Sequence, residues 1–363
     1  MISIRKWIDN FRGSGEAAVT VPSMDGALKP NNLLNGAPVI WNGGDKPVGN
    51  LASDGRRVFF SLGAELFVLD PNSEPRHIRD CGGQISAIAA HESGTVAVGV
   101  AGKGILLRTA NGEFKEVLSS QLPVNCPAAI AFESADTLVV ANGSASNGPE
   151  KWCRDLMEKN RSGSVWRVDL RSGEAKCIAG DLGFSAGVVV TATGDIVISE
   201  SWRHQLLRLT AGGNATVVLD DLPGYPGAIV RSGQGGYWLS IFAPRRQLIE
   251  FVLREEGYRK AMLESLDEQY WVAPSLRTGV NYFEPVQSGS VRHLGIVKPW
   301  APTRSYGLLV RLDENFNPNA SYHSRADANR HGITSAVEQA GNVVVSCAAT
   351  NQLLALDPTI TED

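Results

Sequence analysis

The sequence is poor in the features that usually announce chemistry. Its 363 residues hold five cysteines, Cys81, Cys126, Cys153, Cys177 and Cys347. That is an odd number at irregular spacing with no C-x-x-C pair, which argues against a structural zinc site and gives no support for a disulfide framework. They read as small buried residues, the usual state of a free cysteine. Charge of one sign is also lacking: the formal net charge is −4 and the isoelectric point is about 5.9. Without a broad basic surface, nucleic acid is not expected as a partner. No eighteen apolar residues follow one another, and MISIRKWIDNFRGSGEAAV at the N-terminus has no apolar run of signal-peptide length. The expectation is a soluble, cytoplasmic chain with no membrane partner. The G-x-S-x-G elbow, the H-E-x-x-H pair, the P-loop and a G-x-G-x-x-G leading into a helix are missing as well, so serine hydrolase, zincin and nucleotide-binding readings lose their support.

What is abundant is turn chemistry, with 38 Gly and 18 Pro beside a hydrophobic content of 43%. From Gly183 to Leu219 the sequence runs GFSAGVVVTATGDIVISESWRHQLLRLTAGGNATVVL. Four short β-branched or aliphatic runs, at 188–191, 195–199, 205–209 and 216–219, are separated by T-G-D and A-G-G-N turns, which predicts a meander of antiparallel strands. The same order returns around Leu51, Ile85, Ala128, Ala228 and Ile333, for six units in all. An all-strand unit of roughly 40 residues repeated in this way is the mark of a propeller blade. The predicted fold is all-β, a six-bladed β-propeller.

Residues 1–36 read as an N-terminal extension, with Ile2, Ile4, Trp7, Ile8 and Phe11 at helical spacing, and residues 37–363 as one propeller domain. Pro38-Val39-Ile40-Trp41 looks like a strand without a neighbour in its own repeat, and the last repeat, ending at Leu356-Asp357, lacks a fourth strand. The two gaps fit each other, because the early strand completes the last blade and removes an open edge. Helical insertions are predicted in blades 3 and 5, at about 143–163 and 243–304, each between the second and third strands. The first carries PEKWCRDLMEKN. The second carries RRQLIEFVLREEGYRKAMLESL, read as a single helix. Loops in that position overhang one mouth of the channel, so both insertions should cover the same opening.

GVVVTATGDIVISESWRHQLLRL, DDLPGYPGAIVRSGQGGYWLS and HGITSAVEQAGNVVVS, together with the insertion in the fifth repeat, resemble the superfamily of six-bladed propellers that joins strictosidine synthase-like proteins with the gluconolactonase and senescence-marker proteins. The resemblance implies a small-molecule site at the channel mouth, and in lactonase relatives a divalent cation, such as calcium, held by a Glu, an Asn and an Asp. The matching positions here are Val48, Ala186 and Gly227, none of which offers a ligand atom. No cofactor is therefore expected. The glutamate that strictosidine synthases use as a base aligns with Thr334, and a hydroxyl cannot replace a carboxylate in that role.

Glu200 in SESWRH and His331 in NRHGIT are the acid/base candidates, since a carboxylate under a lid and an imidazole both move protons near neutrality. In the competing reading Glu200 pairs with Arg203 or His204 and His331 caps a turn. Asn142, Trp202, Tyr225, Thr334 and Cys126 are the candidate substrate-binding residues, and Phe242 and Trp300 are further candidates for an apolar wall. Glu338 reads as a solvated turn residue. His323 and Arg325 suit either an anionic ligand or an exposed loop. The function expected is a small-molecule hydrolase of the lactonase or esterase type, working without a metal. Alternatives are a lyase or isomerase using the same acid/base pair, and a non-catalytic ligand-binding propeller.

Overall fold

The structure is a computed structural model and describes residues 21–117, 124–278, 292–293, 296–297 and 304–360. The helix expected near the N-terminus and Trp300 lie outside the described residues.

Six four-stranded antiparallel sheets follow one another around a central channel. After β1 (Val39–Asn42), blade 1 holds β2 (Val48–Ser53), β3 (Val58–Leu62), β4 (Glu65–Leu69) and β5 (Arg76–Asp80). Blade 2 holds β6 (Ile85–Ala90), β7 (Val96–Val100), β8 (Gly104–Arg108) and β9 (Phe114–Val117). Blade 3 holds β10 (Pro127–Ser134), β11 (Thr137–Asn142), β12 (Gly163–Asp169) and β13 (Ala175–Leu182). Blade 4 holds β14 (Ser185–Val190), β15 (Ile196–Glu200), β16 (Gln205–Leu209) and β17 (Ala215–Leu219). Blade 5 pairs β18 (Gly224–Arg231) and β19 (Tyr237–Pro244) with β22 (Gly307–Leu312) and β23 (Pro318–Ser324). Its insertion contains the two-residue strands β20 (Arg292–His293) and β21 (Ile296–Val297). Blade 6 is β24 (Ile333–Gln339), β25 (Asn342–Cys347), β26 (Gln352–Leu356) and β1.

Sequence patterning sets each strand's depth. Second strands such as β7 and β15 are buried at every residue, because a blade on either side covers both faces and a continuous aliphatic run satisfies both. Fourth strands such as β5 and β17 are largely exposed, polar in β5 and mostly apolar in β17. The core consequently lies between blades. Val189, Val197 and Leu206 of blade 4 pack with Ile229, Leu239 and Leu308 of blade 5, and each such side chain contributes about 1.5–3 kcal/mol by leaving water. Gly187 permits the closest approach at that seam, since a Cβ there would sit 2.2 Å from the Gly227 carbonyl oxygen.

The ring closes as the sequence required. β1 pairs antiparallel with β26, Val39 opposite Leu354 and Trp41 opposite Leu353. The Trp41 ring also packs on Phe60 and Phe67 of blade 1, with centroids 5.0 and 5.6 Å away. Before it, the short helix α1 (Leu33–Gly36) is strapped to blade 5. Asn31 donates to the Ser321 carbonyl and accepts from the His323 amide, while Arg330 donates to the carbonyls of Leu34 and Ala37.

Both insertions lie between second and third strands. That of blade 3 contains α2 (Trp152–Glu158), and that of blade 5 contains α3 (Gln247–Arg254) and α4 (Glu256–Ser265). The single helix expected in blade 5 is thus two. Glu255 leaves the helical region at φ −75°, ψ 79°, two residues before Gly257, the weakest helix former of the stretch.

Candidate functional site at the roofed channel mouth

The first strand of every blade starts at the same end of the channel, and its opening residues ring the mouth. They are Asn50, Ser86, Ala128, Ala186, Gly227 with Ala228, and Thr334. Pro149 and Trp152 from the blade 3 insertion and Leu276 from the blade 5 insertion roof the space, with Phe184 and Phe242 completing its wall. The volume of this space is about 150 Å³. The two insertions therefore meet over one opening, as their positions in the repeats predict.

An aromatic stack supports the roof. Trp202 lies 4.7 Å from Phe184 and 5.8 Å from Tyr225, and Trp152 lies 5.3 Å from Phe242 by ring centroids. The buried carboxylate of Asp155 on α2 accepts from the Trp202 indole N–H at 2.8 Å and from Asn147 and Asn160 at 3.1 Å each. Arg259 of α4 donates to the Met157 carbonyl and so ties one insertion to the other. Glu250 of α3 is held by Arg245, 3.2 Å away, and by His204 of blade 4, 3.4 Å away. Burial pushes the Glu250 carboxyl up, but the hydrogen bonds and charges of His204 and Arg245 outweigh it and leave it below the usual range.

The position facing the mouth in blade 1 is Asn50. The register of β2 on β3 shifts between Gly49 and Ala52, and Asn50 adopts a left-handed φ of 56°. This bulge brings Asn50 to the lining, while Val48 is buried against Leu62 and Leu353. Asn50 donates to the Ser61 hydroxyl and to the Ile85 carbonyl, each at 2.9 Å. Ala186 and Gly227 do line the cavity but bring no donor atom. A Cβ at Gly227 would come within 3.1 Å of the Phe242 ring. The oxygens left at the mouth are those of Asn50, Ser86 and Thr334, with no carboxylate among the lining residues, a set that does not fit a hard divalent cation.

Glu200 and His331 are not brought together. Glu200 is fully buried and accepts from the Gly183 amide at 2.8 Å, from Gln205 at 2.7 Å and from Arg203 at 2.9 Å. The pairing with Arg203 is the competing reading, and with Gly183 and Gln205 it engages both carboxylate oxygens. His331 donates from Nε2 to the Arg325 carbonyl at 2.9 Å, so its Nδ1 accepts from the Ser305 hydroxyl at 2.8 Å. Burial lowers its pKa and holds it neutral. The two side chains share no hydrogen-bond partner, and neither lines the mouth.

Of the candidate substrate-binding residues, Thr334 alone lines the cavity, its hydroxyl 2.8 Å from that of Ser346. Trp202 and Tyr225 stand in the layer behind it. Tyr225 is fully buried, with its hydroxyl unpartnered. Asn142 accepts from the Cys126 amide at 2.9 Å, and burial pushes the Cys126 thiol up to about 12, which keeps it an unreactive thiol. Sequence reasoning assigned no site role to Asn50, Phe184, Trp152 or Leu276. The signal for the ring was the shared phase of each repeat's first strand, whereas the roof residues lie in insertions that have no repeat to align.

Fold and mouth together define a six-bladed β-propeller with one roofed opening. No family model matches the sequence. Among curated relatives, the adipocyte plasma membrane-associated protein of Bos taurus is 28% identical over 281 residues, 68% of this chain and 67% of that protein. The Rattus norvegicus protein of the same name is 27% identical over 304 residues, 75% of this chain and 80% of its own. Strictosidine synthase-like 6 of Arabidopsis thaliana is 26% identical over 165 residues, 44% of each chain. A solved structure described as a putative gluconolactonase superposes with a TM-score of 0.53 at 10% identity, covering 88% of this chain and 90% of that one, which establishes the shared fold.

Proposed function

We propose that this propeller takes a small, neutral, largely apolar molecule bearing a carbonyl or hydroxyl group in its roofed mouth. The observation that carries the reading is the cavity itself, walled by the opening residues of all six blades and overhung by Trp152 and Leu276 from two separate insertions. An apolar space of about 150 Å³ suits a ring of benzene size. The hydroxyl of Thr334 and the amide of Asn50 provide its polar end. Small molecules of this kind include lactones and simple esters, and hydrolysis of such a bond is the second reading, favoured by the gluconolactonase-like architecture. Lyase or isomerase chemistry would need the acid/base pair that Glu200 and His331 do not form.

The test is a thermal-shift and turnover screen of the full chain against neutral lactones and aryl esters. Trp152→Ala and Thr334→Val should each weaken a bound hit by about tenfold, the scale of one lost apolar or hydrogen-bonding contact. Hits that bind both variants as they bind wild type would remove the assignment. Product bearing one added water would establish hydrolysis, and binding without conversion would establish a receptor. No helix among the described residues is long and apolar enough to cross a membrane. The relatives' name speaks of plasma-membrane association, and cell fractionation decides between that location and the cytoplasm.

A further inference from the structure

The channel has a second end. Close to where the first strands finish, Ser53, Ala90, Phe132, Val190, Arg231 and Glu338 surround an open chamber of about 660 Å³, within the range of ordinary ligand pockets. Among the described residues neither helical insertion contributes to it. Its inner wall is a girdle of Leu51, Ile88, Ile130, Val188, Ile229 and Val337, while charged groups stand at the rim. These rim charges are not equivalent. Glu133 is neutralised by Arg167 through two hydrogen bonds of 2.7 Å, and Glu92 and Arg231 are exposed and free to swing into water.

Glu338 is different. Its carboxylate is fixed by three neutral donors, the Ser232 hydroxyl at 2.5 Å, the Trp238 indole at 2.7 Å and the Gly233 amide at 2.9 Å. Among the described residues it has no ion pair. Burial alone would raise its pKa, yet the three hydrogen bonds, with a smaller contribution from the Arg311 charge, outweigh burial and keep it below the usual range. Arg311 stands near, stacked over the Trp238 ring, but makes no ion pair with Glu338, and a rigid, ionised carboxylate held only by neutral donors at the edge of an aliphatic chamber is preorganised for a cation with an apolar body. We infer that the helix-free end of the channel binds an amphiphile carrying one ammonium group on an aliphatic tail, with the ammonium at Glu338 and the tail against the girdle.

The experiment is titration calorimetry of the full chain at neutral pH with octylammonium, octanol, octanoate and methylammonium. Octylammonium should bind about tenfold more tightly than octanol, and octanoate and methylammonium should give no heat of binding. Glu338→Gln keeps an acceptor for the Trp238 indole and should bring octylammonium down to the affinity of octanol. Val190→Phe, which fills the chamber, should abolish both. Ser53→Phe from blade 1 serves the same purpose should that variant fail to fold. Octanoate binding as well as octylammonium, an ammonium preference that survives Glu338→Gln, binding retained in a folded, filled variant, or no octylammonium binding at all would each overturn the assignment.

Discussion

Glu200 has three donors on two oxygens and no exposed surface, so truncation would strand the amide of Gly183 and the side chains of Arg203 and Gln205 at once. Glu200→Ala should cost about 2–3 kcal/mol in urea unfolding, moderated by the partial exposure of Arg203, and leave the affinity of a mouth ligand unchanged. Affinity that falls with little loss of stability would return Glu200 to the site. His323 gives a prediction in pH. It is wholly buried between the Tyr306 and Ser321 hydroxyls, and burial lowers its pKa to about 4. Unfolded, it would titrate near 6.5, so between about 6.5 and 4 the unfolded state binds the additional proton and stability falls as pH falls, by up to about 3 kcal/mol. His331, lowered for the same reason, acts in the same direction. His323→Gln should flatten the stability profile over that window, and an unaltered profile would show that His323 is not kept neutral in the fold. His323 also illustrates a limit of the sequence: SYHSRADANR reads as an exposed loop or an anion site, because nothing local reveals that Asn31, some 290 residues earlier, comes to cap it.

At the scale of elements, the roof depends on a few cross-links. Asp155 joins α2 to Trp202, and Glu250 joins α3 to His204. Asp155→Ala should loosen α2 from the aromatic stack, and hydrogen exchange across residues 143–163 should accelerate while that of β15 stays slow. Equal acceleration in both would mean that the cross-link sustains the whole blade. Strand identity and order were legible because short β-branched or aliphatic runs bounded by turn residues recur in the same order in six units, and the pairing of β1 with β26 followed from two complementary gaps. The bulge that brings Asn50 inward was not legible. It shifts a short strand out of phase by a backbone angle that asparagine tolerates but does not announce, so a count by repeat spacing landed on Val48. The break at Glu255 escaped for a similar reason: Leu248, Phe251, Val252, Tyr258, Met262 and Leu266 suit one helix as well as two.

Across the whole molecule, the propeller separates stability from function. Interblade cores carry the fold, and the channel ends, where the first strands begin and finish, are where we propose that ligands bind. The mouth ring is neutral, with Asn50, Ser86 and Thr334 as its oxygen donors, so removing divalent ions with EDTA should leave ligand affinity unchanged. A loss restored by calcium would place a cation where we find no suitable ligand set. The central claim is that the roofed mouth holds the ligand, and the most direct test is the crystal structure of the chain with the tightest neutral lactone or ester from the screen. The account predicts density enclosed by Trp152, Phe184, Leu276 and Thr334. A ligand bound elsewhere, with the mouth filled only by water, would contradict it.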